Sequence, residues 1–275
     1  AARSGLFTKE EALDSFALTL ATYDMRAGRN WKPLIDTTND PVSINRAPQA
    51  WRSWSREEDY YQEGQLIWLD ADTLIREKSG GKKSLDDFAK LFFGQHDGDW
   101  APVTYTFDDV VKALNTVQPY DWAGFLHARV DQVTPHAPLD GFTRGGYRLT
   151  YVEEEGPYFK ALEAERKATN LLFSIGLTIG EGGAITEVLW DSPAFNQGLT
   201  NGTKIVAVNG EAYESDALKR AITDAKSAGK PIEFLVTAGG HYRTVQLDYR
   251  GGLRYPKLDR ITGVDDRLGA IIAAK

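Results

Sequence analysis

Apolar positions recur at two different periods along this chain, and the change of period divides it. Over residues 8–130 they fall three or four apart, the spacing of one helical face. Leu13, Phe16, Ala17 and Leu20 follow Thr8-Lys-Glu-Glu11, a capping box in which a hydroxyl and a carboxylate satisfy each other's backbone N–H groups. The same signal at Ser55-Arg-Glu-Glu58 predicts a helix through Leu66, Ile67, Trp68 and Leu69 to Arg76, stopping near Gly80. Ser84-Leu-Asp-Asp87 opens a third helix with Phe88, Leu91 and Phe92, Thr106-Phe-Asp-Asp109 a fourth, and residues 121–130 a fifth. Residues 30–49 form a polar loop punctuated by proline.

Further along, the period becomes two. Tyr147, Leu149 and Tyr151 alternate with Arg148, Thr150 and Val152 after Gly145-Gly146, which predicts one strand of a small hairpin. Residues 157–170 read as a short helix or connector. Apolar runs at 172–179 and 184–189 flank the turn Gly180-Glu-Gly-Gly183, and Ser192-Pro193 starts a one-turn helix that Gly198 can stop. Residues 204–208 make a strand before Asn209-Gly210, a strong tight-turn signal. Ser215 then caps a helix with Ala217, Leu218, Ala221, Ile222 and Ala225 on one face and Gly229 as its stop. Residues 232–237 and 242–247 close a last hairpin around Gly239-Gly240, and the tail at 255–275 is amphipathic enough to pack back on a neighbour. The expected fold class is α+β and multidomain: a helical domain at 1–134, a β-hairpin connector at 135–165, a small β-rich domain at 166–252 and a packing tail at 253–275.

The order of elements from Phe173 to Leu247 resembles the PDZ domains of bacterial proteases, which bind an extended peptide as an added strand. By that resemblance Ser174-Ile-Gly-Leu177 is a carboxylate-binding loop whose successive N–H groups form an anion nest. The groove would lie between the strand at 177–179 and the helix bearing Leu218 and Ile222. Ser174, Ile175, Gly176, Leu177, Thr178, Ile179, Leu218 and Ile222 are therefore the candidate peptide-binding residues, with peptides or protein C-termini as partners. The alternative is that they only close a small β-rich core. Gly202-Thr203 departs from the Gly-Asp common at that place in related domains.

Composition narrows the classes. The chain has 275 residues, 42% hydrophobic, with a net charge of −7 spread over interspersed acids and bases, which argues against a nucleic-acid partner. It has no apolar run long enough to span a bilayer, so no membrane partner is expected. Cysteine is absent, which excludes disulfides, thiol nucleophiles and cysteine–zinc sites. Ala1-Ala2-Arg3-Ser4 lacks an initiator methionine, so the chain reads as either processed or an excised fragment, with excision the expectation.

The phrase Ser53-Trp-Ser-Arg-Glu-Glu-Asp59-Tyr-Tyr-Gln-Glu-Gly64-Gln-Leu-Ile-Trp-Leu-Asp-Ala71, followed by Gly80-Gly-Lys-Lys-Ser-Leu-Asp-Asp87, resembles the C-terminal half of the glycyl aminopeptidase family of zinc metallopeptidases. Ala2-Arg-Ser-Gly-Leu6 is similar to the segment after that family's third zinc ligand. The resemblance covers essentially the whole chain. It implies a thermolysin-like catalytic domain, with zinc held by a His-Glu-x-x-His helix and a downstream glutamate. That motif is absent: His96, His127, His136 and His241 contain no i, i+4 pair. No metal site and no cofactor are expected in this polypeptide, which alone should be inactive. Zinc belongs to the intact parent enzyme, whose missing N-terminal catalytic portion is an expected partner.

One catalytic element is carried over by the resemblance. Tyr61-Gln-Glu-Gly64 matches, at its tyrosine and glycine, the Tyr-x-x-Gly pattern that places a phenol as oxyanion donor in related zinc aminopeptidases. Glu63 stands where those enzymes commonly have lysine, and Tyr60 is an adjacent competitor. Both tyrosines could instead simply pack beside Trp51, Trp54 and Trp68. Trp31, Trp51, Trp54, Trp68 and Trp100 line a substrate cleft or fill a core, with the core expected, and Asp97-Gly-Asp99 is expected in a solvated turn. The family further implies a periplasmic or otherwise extracytoplasmic location. The leading expectation is thus the C-terminal portion of an aminopeptidase removing small N-terminal residues. A stand-alone PDZ peptide-binding or scaffold protein and a purely structural role are the alternatives.

Overall fold

Thr8 opens α1 (Lys9–Asp24) as its sequence dictates: its hydroxyl accepts from the Glu11 N–H, and the Glu11 carboxylate accepts from the Thr8 N–H. The structure, a computed structural model, describes residues 1–43, 51–95 and 98–274. His96, Asp97 of the expected Asp97-Gly-Asp99 turn and the end of the loop at 30–49 lie outside them. The rest of that loop is two 3-10 turns, Ala27–Asn30 and Leu34–Asn39, and α2 (Asp40–Ser43). The helices α3 (Arg52–Ser55), α4 (Tyr60–Lys78), α5 (Leu85–Phe93), α6 (Phe107–Val117), α7 (Trp122–Val130) and α8 (Asp140–Arg144) follow. The boxes at Ser84–Asp87 and Thr106–Asp109 close as predicted, and Asp121 caps α7 by accepting from Gly124 N–H at 3.0 Å.

The fourth predicted cap fails. Ser55 ends α3 instead of opening α4, its hydroxyl bonds Glu57 Oε1 at 3.1 Å, and α4 starts at Tyr60 with no side-chain cap. Arg56 and Glu58 adopt the left-handed region at φ 53° and 46°, an uncommon state for residues with a Cβ. A local cap has lost here to the buried ion pairs of Arg56 with Asp59 and Glu63.

The β-rich half continues with β1 (Tyr147–Val152), α9 (Pro157–Arg166), β2 (Thr169–Leu171), β3 (Leu177–Ile179), β4 (Ile185–Val188), α10 (Pro193–Asn196), β5 (Lys204–Val208), β6 (Glu211–Ala212), α11 (Ser215–Ala228), β7 (Ile232–Ala238), β8 (His241–Leu247), β9 (Tyr255–Arg260) and α12 (Arg267–Ile272). Asn209 and Gly210 both take positive φ in the tight turn between β5 and β6, as an Asn-Gly pair allows. The expected hairpin at β1 does not form. Its partner is the C-terminal β9, antiparallel from Tyr147↔Arg260 to Val152↔Tyr255. Nor does Ser215 cap α11; Glu214 precedes the helix without a side-chain bond, and the Ser215 hydroxyl accepts from Thr169 Oγ1 at 2.8 Å.

Strands β2-β3-β4 form one sheet and β6-β5-β7-β8 another. Between these sheets and α11 lies a core that includes Leu177, Ile179, Val188, Ile205, Leu218, Ile222, Phe234 and Val236. A second core lies under α1 and α4 and draws in the tail: Leu258, Leu268 and Ile272 pack with Ala12, Ala17, Leu20 and Leu66. The chain end thus helps bury the first long helix. Asp14 of α1 accepts from the Phe159 N–H at 3.0 Å at the start of α9, and burial pushes its carboxyl up.

Candidate active-site cleft

The start of α4 is fixed by buried charges. Arg56 donates both to Glu63, with Nη2 at 2.8 Å from each carboxylate oxygen, and to Asp59 from Nε at 3.3 Å. Arg29 also reaches Glu63, and Arg26 reaches Asp59. Arg29 extends the network to Thr134 Oγ1 at 2.9 Å and the His136 carbonyl at 2.8 Å. Three guanidinium groups and two carboxylates therefore meet in one nearly dry place, where each charge needs its partners. Burial pushes the Asp59 carboxyl up to about 6 against the pull of Arg26 and Arg56. Glu63, standing where the related pattern has lysine, is 1% exposed and ties two arginines together.

This anchor leaves the preceding residues of α4 at the surface. Tyr61 is 65% exposed, and its ring lies 4.4 Å from that of Tyr60, tilted by 33°. The neighbouring Tyr61 hydroxyl pushes the Tyr60 phenol up to about 12. Of the two adjacent phenols, Tyr61 is the one exposed to solvent.

Tyr61 opens on a cleft of about 460 Å³ whose far wall belongs to the β-rich half. That wall includes Asn170 of β2, Thr178 of β3 and Glu187 of β4, which pair across the sheet as Asn170↔Thr178↔Glu187. Because side chains alternate along a strand, Leu177, Ile179 and Val188 enter the core while this row faces the other way. In the sequence Thr178 and Glu187 lie within apolar runs and Asn170 in a connector, and nothing there aimed them at Tyr61.

An aromatic cluster holds the halves together. Trp54 stacks on Trp190 with centroids 4.6 Å apart, and Trp51 meets Trp190 and Phe195 edge-on at 5.7 and 5.3 Å. The Trp190 N–H donates to the buried Ser53 hydroxyl at 2.9 Å. The tryptophans divide rather than share a core: Trp68 packs on Phe88, whereas Trp31 is 50% and Trp100 97% exposed.

The peptide-binding residues expected from the loop are placed differently from an open groove. Ser174, Ile175, Leu177, Ile179, Leu218 and Ile222 are all buried. The N–H groups of Ser174, Ile175 and Gly176 all donate to the Leu171 carbonyl, at 3.1, 3.1 and 3.0 Å. Both edges of β3 are paired, with β2 on one side and β4 on the other. The expected ligand strand and carboxylate thus find their positions taken by the chain's own β2. Gly176 sits at φ 84°, and a Cβ there would lie 2.1 Å from that of Ser192. Its glycine serves this closed packing. Thr178 alone of the set reaches the Tyr61 cleft.

Among the described residues, no group of three His, Cys, Asp or Glu side chains is placed to hold a metal ion. No helix described is long and apolar enough to cross a membrane.

The sequence model of M61 glycyl aminopeptidase matches residues 1–67, which include Tyr61 and the buried charges behind it. No curated protein matches the chain. Among solved structures, the crystal structure of an aminopeptidase N family protein from Idiomarina loihiensis superimposes with a TM-score of 0.66 at 16% identity, over 95% of this chain and 44% of that one. The chain therefore has the fold of a little under half of that protein, and its first quarter is similar to the M61 glycyl aminopeptidases.

Proposed function

We propose that this chain forms one side of the active-site cleft of an aminopeptidase of the glycyl aminopeptidase type, acting on short peptides with small N-terminal residues. The observation that carries this reading is the exposed Tyr61 phenol, set by a buried ion network at the mouth of a cleft and lying within the family-matched segment. In this role the Tyr61 O–H donates to the oxygen of the scissile carbonyl as it becomes an oxyanion, an interaction strongest in the transition state.

A zinc ion, which the family implies, finds no ligand set among the described residues, so its ligands are assigned to another part of the protein. The β-rich half serves as the second wall of the cleft, and a PDZ-like layout describes its order of elements. Peptides enter beside Tyr61, since the edge of β3 is already paired.

The test is Tyr61→Phe in the complete protein, assayed on glycyl and alanyl peptides. Loss of one oxyanion donor lowers kcat about 100- to 1,000-fold with little change in KM. Unchanged kcat would remove Tyr61 from the mechanism, and a large rise in KM alone would make it a binding residue.

A further inference from the structure

We infer that the row Asn170–Thr178–Glu187 is a subsite for the ammonium of a lysine-type side chain on the peptide. This rests on the cleft reading above and adds a substrate preference to it. The first observation is an unsatisfied atom: Thr178 Oγ1 is buried on the cleft side of β3 and has no hydrogen-bond partner. A buried hydroxyl without a partner forgoes hydrogen bonds that it would make in water, so a ligand that supplies one is favoured.

Charge is the second observation. The cleft is lined by arginines and glutamates, but most are committed: Arg26 to Asp59, Arg52 to Glu57 at 4.0 Å, and Glu163 to Lys219 at 3.0 Å. The charges left over are Glu58, Glu187 and the exposed Arg166, so two acids face one base. Arg26 lies near enough to Glu187 to feel its charge, but it is paired with Asp59, which it shares with Arg56, and makes no contact with Glu187 within 4.0 Å. Glu187 is half-buried and has no cation within 4.0 Å among the described residues.

Geometry supplies the third. Adjacent strands lie about 4.8 Å apart, so an ammonium seated between two of them reaches oxygens on both. The row offers the Glu187 carboxylate, Thr178 Oγ1 and the Asn170 side-chain oxygen, which accepts from Leu172 N–H at 3.1 Å and keeps a second lone pair. An ammonium carries three donors and no acceptor, which fits such a row of acceptors. The wall of the β-rich half would then choose among peptides whose scissile bond lies on the Tyr61 side.

The experiment is an NMR titration of the isotope-labelled chain with glycyl-lysine and with glycyl-norleucine, which has the same carbon stem without the ammonium. Glycyl-lysine should bind about tenfold more tightly, with shifts centred on residues 170, 178 and 187. Glu187→Gln should abolish the difference, and Thr178→Val should reduce it while the rest of the spectrum stays unchanged. Equal affinities for the two peptides, absence of binding by both, shifts centred elsewhere or a preference that survives Glu187→Gln would each overturn the subsite. No turnover is needed, so this result is independent of Tyr61→Phe. A lysine preference with an active Tyr61→Phe enzyme keeps the subsite and discards the oxyanion role, and the converse discards only the subsite.

Discussion

The helical half and the β-rich half both bury apolar cores but differ in the polar groups they bury with them. Among the described residues, the buried charged side chains all belong to the helical half, including Arg26, Arg29, Arg56, Asp59, Glu63 and Asp70, whereas the β-rich half buries only hydroxyls, at Thr169, Ser174, Ser192 and Thr203. A core of Leu, Ile, Val and Phe is non-directional and holds whichever shape fills it. Buried charges are directional, because each must meet its partners at hydrogen-bond distance or cost several kcal/mol. This difference accounts for the candidate phenol being on the helical side. A side chain that must sit at a defined place is held by the directional half, while the apolar half provides a wall.

The contrast can be broken most severely at Glu63. Glu63→Gln strips two buried guanidinium groups of a carboxylate and should destabilise the chain by about 3 to 5 kcal/mol, read by denaturant unfolding. A change below 1 kcal/mol would mean that water reaches the network and that it is not the anchor of α4. In the β-rich half the matching lesion is steric. Gly176→Ala forces a Cβ against Ser192 at positive φ and should cost roughly 2 to 3 kcal/mol. Hydrogen exchange should place that loss in β2, β3 and β4 and leave α4 protected; uniform loss would show that the two halves unfold as one.

Coupling between the halves is the next quantity. A double-mutant cycle of Trp54→Ala and Trp190→Ala should give an interaction energy of about 0.5 to 1.5 kcal/mol. Additive single effects would dissolve the proposed clamp. The mildest test uses pH. Asp59 has a folded pKa of about 6, raised above its ordinary value by burial, so between about pH 4 and 6 the folded state binds more protons than the unfolded one. Its contribution therefore makes stability decline as pH rises through that window and level off above it. Asp59→Asn should flatten that part of the profile, measured by thermal unfolding at a series of pH values. An unchanged slope would assign it to other carboxyls.

Legibility followed the range of each interaction. The capping boxes at Thr8, Ser84 and Thr106 and the turn at Asn209-Gly210 were readable because their bonds close within three or four residues. Ser55-Arg-Glu-Glu58 carries the same letters and does not cap, since Arg56 is claimed by Glu63, Asp59 and the Lys32 carbonyl. The strand at 147–152 was readable, but its partner more than a hundred residues away was not. Likewise the loop at Ser174 to Leu177 has the letters of an anion nest, and only the fold shows its N–H groups spent on the Leu171 carbonyl.

By itself, then, the sequence determined the two halves, their periods, most helix starts and the resemblance that singled out Tyr61. The tertiary structure decided that Tyr61 faces a cleft, that the cleft's other wall is Asn170, Thr178 and Glu187, and that β2 closes the edge of β3. The physical reason is the same in each case. Caps, turns and alternation are satisfied by atoms a few residues away, whereas buried charges, sheet edges and clefts are completed by groups that only folding brings near.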